Sequence, residues 1–198
     1  MAVERYDVLD RDGNRTYENM PRDLVHGRGV LHPGVHVWIT DGLRVLMARR
    51  DAGKALMGGT WDIIAGHVAA GETTRNAGVR EVREEAGLLA TPDQLHFFGT
   101  SVTDMAVPAW GGAHHRTRED NYVWYRSDLY LGDVTPEDGS INTPTWVDLD
   151  QLEADMRSEA RARDYALREP TGPALFALGV VIMRQFEGGP PEWAHPGA

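Results

Sequence analysis

Residues 66–88 read GHVAAGETTRNAGVREVREEAGL, and the fold is decided by how this stretch is read. Its second half carries a helical pattern. Thr73 or Thr74 can cap a helix running to Ala86, Val79, Val82 and Ala86 recur at spacings of three and four, and Gly87 is placed to end it. On that helix Glu81, Glu84 and Glu85 stand at i, i+3 and i+4, so their carboxylates share one face. Like charges so close repel, and the C-terminal end of a helix disfavours negative charge. A cation would relieve both problems. Three hard oxygen ligands converging on one point suit Mg²⁺ or Mn²⁺, which keep several waters and bridge to phosphates. The bland alternative is a solvated acidic face with Arg80 and Arg83 as ordinary ion-pair partners.

The spacing of the whole stretch argues against the bland alternative. It runs glycine, five residues, glutamate, seven residues, then Arg-Glu-apolar-x-Glu-Glu-x-Gly-apolar, with every specified position filled. From average residue frequencies a chance match is on the order of one in a billion per starting position. The stretch resembles the box of the Nudix hydrolases, complete from Gly66 to Leu88. The resemblance implies an α/β fold in which a mixed β-sheet is sandwiched between helices, with the box as a catalytic loop–helix–loop. It implies Glu84 and Glu85 as the principal ligands of Mg²⁺ (or Mn²⁺), and Glu81 as a further ligand or the base that deprotonates the attacking water. Arg80 would pair with Glu72 and hold the catalytic glutamates in place. Gly66 would let the loop bend tightly. The bound metal would neutralise phosphate charge and acidify water, so that hydroxide attacks a phosphorus of a diphosphate. For a base outside the box, Glu119 or Asp120 is the candidate.

The likeness continues outside the box. YDVLD (6–10), His32, VHVWI (35–39), Arg49-Arg50, Gly59-x-Trp61-Asp62 and AGHV (65–68) resemble the Nudix branch related to isopentenyl-diphosphate isomerase, over the first half of the chain to about Ala90. Those isomerases need a reactive cysteine and this chain has none, so the expected reaction is hydrolysis. The expected substrate is a nucleoside diphosphate linked to another moiety or a related organic diphosphate. An isoprenoid-diphosphate hydrolase or isomerase-like enzyme is the alternative. A non-catalytic nucleotide-binding Nudix module is a third reading; such modules lose box glutamates or the arginine, and all are present here.

Around the box, 6–9 and 15–17 flank the turn DRDGN (10–14), a small hairpin. Residues 35–40 and 44–49 read as strands joined by Asp41-Gly42. Strands are predicted over 95–102, 121–131 and 146–149, with an irregular segment between the first two. Helices are predicted over 150–168 and 174–186. The mixture suggests one Nudix domain over 1–187, with 1–30 as an N-terminal hairpin extension and 188–198 as a flexible tail.

A net charge of −10 gives the chain little attraction for nucleic-acid polymers or anionic membranes, so the expected partner is a small-molecule diphosphate. No apolar run approaches the ~18 residues of a membrane span, and the absence of cysteine excludes thiolate ligands and disulfides. Both favour the cytoplasm. The resemblance makes a homodimer one candidate assembly, since dimers are common in the family, and the sequence leaves the oligomeric state open. Arg116 and Arg118 offer guanidinium forks for phosphate, and Arg49 and Arg50 resemble a pair in the isomerase-like branch that would touch it. His114 and His115 are candidates to bind phosphate or metal, but adjacent histidines point in different directions and their segment reads as a loop, so simple exposure is an equal alternative. Trp38, Trp61 and Trp124 read as core.

Overall fold

The computed structural model describes residues 3–137, 141–168 and 172–194. A hairpin of β1 (Arg5–Leu9) and β2 (Arg15–Pro21) comes first; Asp10 Oδ1 closes its turn by accepting from the backbone N–H groups of Asp12 and Asn14, both at 2.9 Å. Helix α1 (Arg22–Arg28) leads into β3 (His32–Thr40) and β4 (Arg44–Arg50). Strands β5 (Trp61–Asp62) and β6 (Ile64–His67) precede α2 (Thr74–Ala86). The remaining strands are β7 (His96–Ala106), β8 (His114–Tyr125) and β9 (Ile141–Asp148), followed by α3 (Leu149–Arg157), α4 (Glu159–Ala162) and α5 (Gly172–Arg184).

The main sheet runs β5-β4-β3-β8-β7, with β6 also paired to β3 and β9 to β4. Strands β3 and β8 are parallel and the other pairs antiparallel, so the sheet is mixed. Side chains of β3 alternate between two cores, as a period of two requires. Val35, Val37 and Ile39 pack with Ala77, Val82 and Ala86 of α2. Trp38 packs on the other face with Leu152 of α3 and Val180 and Met183 of α5. Both faces are apolar and both are covered by helices, which gives the sandwich.

Helix α2 follows its sequence signals at both ends. Thr73 Oγ1 accepts from the Asn76 N–H at 3.2 Å, and Gly87, at φ 68°, donates its N–H to Arg83 O at 2.8 Å. A Cβ at Gly87 would overlap the carbonyl of Thr135. Three expectations change. The Asp41-Gly42 turn joins strands that pair at the single position Thr40↔Val45; beyond it β4 goes to β9, and β6 takes the place beside β3. The segment expected to be irregular is a long hairpin, paired down to Ala106↔His114, with only residues 107–113 as its loop. Its inward residues on β8 are His115, Thr117, Glu119 and Asn121, all buried and all polar, so no apolar alternation marks the strand. The helix expected over 150–168 breaks at Ser158, which ends α3 and caps α4 through its Oγ.

Residues 188–194 return to the fold. Trp193 Nε1 donates to Gln185 Oε1 at 2.8 Å, and Ala194 is buried with Phe186. The rest of the expected tail, 195–198, lies outside the described residues.

Candidate active site

The C-terminal half of α2 forms one wall of a cavity of about 490 Å³. Glu81, Glu84 and Glu85 all face it. Glu85 is half-buried and accepts from the Ala65 N–H at 3.1 Å; burial, with Glu81 beside it, pushes its carboxyl up to about 8. Burial also pushes Glu81 up to about 7 against the pull of Arg80, with Glu84 and Glu72 adding to the rise. Gly66 makes this packing possible, since a Cβ there would overlap the Glu81 carboxylate. Two carboxyls whose ionised forms are this unfavourable, beside a third, are a donor set that fits a hard dication.

Arg80 joins the wall to the preceding loop. Its Nε donates to Glu72 Oε1 at 3.2 Å and its Nη2 to Glu72 Oε2 at 3.1 Å, while Nη2 also donates to the His67 carbonyl at 2.8 Å. Its Nη1 reaches Glu81 Oε1 at 2.7 Å and Glu84 Oε2 at 3.2 Å. The guanidinium therefore braces the loop with one edge and the acidic face with the other. Glu72 is itself fixed by the Ala69 N–H at 3.0 Å.

Arg50 and Lys54 line the same cavity. Arg50 pairs with buried Asp62 at 2.9 Å and donates to Leu56 O at 3.3 Å. The floor comes from β3, β7 and β8, with Gly34, His36, Ser101, Thr117 and Glu119 lining it. Glu119 accepts from Ser101 Oγ at 3.1 Å and from Thr117 Oγ1. Leu56, Met57, Leu167, Leu175 and Phe176 make one apolar end.

Of the residues singled out in the sequence, Arg80, Glu81, Glu84, Glu85, Arg50 and Glu119 line one cavity, with Glu72 directly behind Arg80. Asp120 points to α2, accepting from Thr74 Oγ1 at 2.7 Å and Thr100 Oγ1 at 3.1 Å. The other three arginines are not among the lining residues. Arg49 lies over the Trp61 ring at 5.5 Å, Arg116 pairs with Asp104 at 2.9 Å, and Arg118 pairs with Asp120 at 3.5 Å. Successive residues of a strand face opposite sides, which separates Arg49 from Arg50 and turns Arg116 and Arg118 away from Thr117 and Glu119.

Sequence reasoning missed Lys54 and, although it weighed His115 as a phosphate or metal contact, it missed the grouping of His26, His32, His67 and His115, one ring nitrogen of each lying within 4.8 Å of the others. His67 stands inside the box and His32 within the wider resemblance. His115, expected on a loop, is buried on β8, while its neighbour His114 is half-exposed against Asp104. Burial lowers His32 to about 4 and His115 to about 3, and depresses His26 and His67, so all four rings are neutral near pH 7.

The model of the NUDIX domain matches residues 30–169, and the chain belongs to the Nudix family. A Nudix hydrolase of Rhodococcus erythropolis, orf19, is 39% identical over 148 residues, covering 73% of this chain and 77% of that one. Nudix hydrolase 3 of Arabidopsis thaliana is 40% identical over 96 residues, 47% of this chain, and the match spans only 12% of that longer protein. The isopentenyl-diphosphate Delta-isomerase of Cereibacter sphaeroides is 29% identical over 133 residues, covering 67% of this chain and 72% of its own. Among solved structures, DR0079 from Deinococcus radiodurans shares the fold with a TM-score of 0.54 at 19% identity, over 82% of this chain and 99% of that one. No helix among the described residues is long and apolar enough to cross a membrane.

Proposed function

We propose that this Nudix hydrolase cuts the phosphoanhydride bond of an organic diphosphate, a nucleoside diphosphate linked to another moiety being the leading class, with Mg²⁺ or Mn²⁺ held by Glu84, Glu85 and Glu81. The observation that carries the reading is that those three carboxylates line one cavity together with Arg50 and Lys54. Carboxylates and cationic side chains lining one cavity suit a diphosphate that is bridged to a dication and also held by cations. The ion supplies charge neutralisation and an acidified water. Arg50, anchored by Asp62, binds and orients the phosphates. Arg80 and Glu72 fix the helix so that the three carboxylates keep their spacing. Glu119, held by two hydroxyl donors, accepts the proton of the attacking water.

The apolar end at Leu167, Leu175 and Phe176 favours an isoprenoid diphosphate as the second reading. A release assay over nucleoside-diphosphate conjugates and isoprenoid diphosphates, with Mg²⁺ and with Mn²⁺, separates the two classes. Turnover is expected to vanish with chelator, and Glu84→Gln is expected to lower kcat on the order of a hundredfold or more, with a smaller loss for Glu119→Gln. Undiminished turnover in excess EDTA, or small and equal losses in both variants, would overturn the assignment.

A further inference from the structure

Asn121 is fully buried on β8, directly beside His36 in the parallel pairing of β3 with β8. The contacts of its side-chain amide fix which end is oxygen. Trp38 Nε1, which can only donate, stands 3.2 Å from Asn121 Oδ1. Asn121 Nδ2 stands 3.2 Å from the Glu119 carbonyl, which can only accept, and 3.2 Å from Ser101 Oγ. Exchanging the two ends would set donor against donor and acceptor against acceptor, so the amide has one orientation.

That orientation decides the tautomer of His36. Its Nδ1 lies 3.2 Å from the same Oδ1, so in the neutral ring Nδ1 carries the hydrogen and Nε2 keeps the lone pair. His36 lines the cavity, Asn121 does not, and His36 Nε2 makes no hydrogen bond to a described residue. The ring thus turns one edge to the sheet and offers a bare acceptor to whatever fills the cavity. A lone pair repels phosphate oxygens, which belong with Arg50 and Lys54. Trp38, two residues along on the same face of β3, lines the cavity too, with the Phe176 ring 6.3 Å from its own. An acceptor near aromatic surface suits a moiety with an apolar face and an O–H or N–H at its edge.

We propose that His36 sets substrate specificity: its Nε2 accepts a hydrogen bond from an O–H or N–H of the moiety attached to the diphosphate, and Asn121 is the positioning residue that fixes its tautomer. This selection rests on the cavity being a diphosphate site, as proposed above, and narrows the substrate to nucleoside- or sugar-bearing diphosphates. An isoprenoid chain has no such donor. It would displace water from Nε2 and leave the acceptor unpaired, at a loss of about ten- to a hundredfold in affinity. The same amide reaches the base at the cavity floor. Ser101 Oγ accepts from Asn121 Nδ2 and so directs its own hydrogen to Glu119 Oε2, 3.1 Å away. One buried asparagine therefore aligns a group for the attached moiety and a group for the attacking water.

Two measurements on the full chain test this. Nitrogen NMR of the imidazoles in the ligand-free protein, under mildly alkaline conditions, is expected to show His36 with Nδ1 protonated and Nε2 bare. Asn121→Ala should mix the two tautomers, which loss of a purely structural asparagine would not do. An Nε2–H tautomer in the wild type, or a ring protonated at both nitrogens, would overturn the proposal however the variants fold. The second measurement is calorimetric binding, with Mg²⁺, of methylenediphosphonate and of the α,β-methylene analogues of ADP, UDP and geranyl diphosphate, none of which carries a phosphoanhydride. His36→Phe is expected to weaken the two nucleoside analogues about ten- to a hundredfold and to leave the other two unchanged, with circular dichroism confirming the fold. Equal weakening of methylenediphosphonate would put His36 on phosphate and sink the assignment. So would unweakened nucleoside analogues, or a geranyl analogue that the wild type binds more tightly than either. Binding of none of the probes would instead bring down the diphosphate reading itself, and this selection with it.

Discussion

Arg80 makes five hydrogen bonds with one side chain, to Glu72 twice, Glu81, Glu84 and the His67 carbonyl. The sequence resemblance implied a pairing with Glu72 that holds the box glutamates in place; a guanidinium fork is wide enough to contact both directly. Removing it leaves Glu72 and Glu81 poorly compensated and frees the helix to shift, and a misplacement of about an ångström costs on the order of a hundredfold in rate. Arg80→Ala is therefore expected to lower kcat more than Glu72→Gln, because it also loses the Glu81 and Glu84 contacts. The double variant should be no worse than Arg80→Ala. Arg80→Lys should not rescue, since an ammonium cannot span both edges. A kinetic double-mutant cycle reads this directly. Fully additive losses, or a defect confined to KM, would show that Arg80 binds substrate phosphate instead.

At the scale of elements, α2 is the piece whose position matters most, and its ends are fixed by local chemistry. Thr73 caps the first turn and Gly87 closes the last in a left-handed conformation. Thr73→Ala should cost about 1 kcal/mol of stability, the ordinary worth of an N-cap. Gly87→Ala should cost more, because it adds a clash with the Thr135 carbonyl to the backbone strain. Urea denaturation of both variants checks the order; a Gly87→Ala protein as stable as wild type would mean that the loop at Thr135 yields freely. Strand β8 shows the limit of such local reading. Its inward row of His115, Thr117, Glu119 and Asn121 serves a polar cavity, so the pattern that ordinarily announces a half-buried strand is missing.

Across the whole molecule, the buried acids and the buried histidines oppose each other in their effect on stability. With metal removed, Glu81 and Glu85 titrate at about 7 and about 8 when folded, above the unfolded carboxyl value of 4.5. From about pH 4.5 to about 8 the folded state still holds protons that the unfolded chain has lost, so the stability these two acids contribute falls across that window as pH rises. The four histidines act in the other direction. Their folded values lie below 6.5, so under more acidic conditions the unfolded chain takes up protons that the folded state refuses, and stability falls there too. Melting temperatures in EDTA should peak near pH 6.5. The alkaline decline should flatten in Glu85→Gln and on adding Mg²⁺. A melting temperature still climbing through pH 8 would refute this account.

The sequence by itself determined the family, the box and both ends of α2. All three are local: a fixed spacing along the chain, a cap, a terminating glycine and a charged face repeat at distances that one helix sets. Tertiary structure alone decided which other residues meet that helix. Strand parity placed Arg50 in the cavity and turned Arg49, Arg116 and Arg118 away from it, and parity depends on a register that residue types do not encode. It also drew His26, His32, His67 and His115 together across positions far apart in sequence. Each is unremarkable alone; the pairing of β3 with β8 and with β6, together with the packing of α1 on β8, brings one ring nitrogen of each within 4.8 Å of the others.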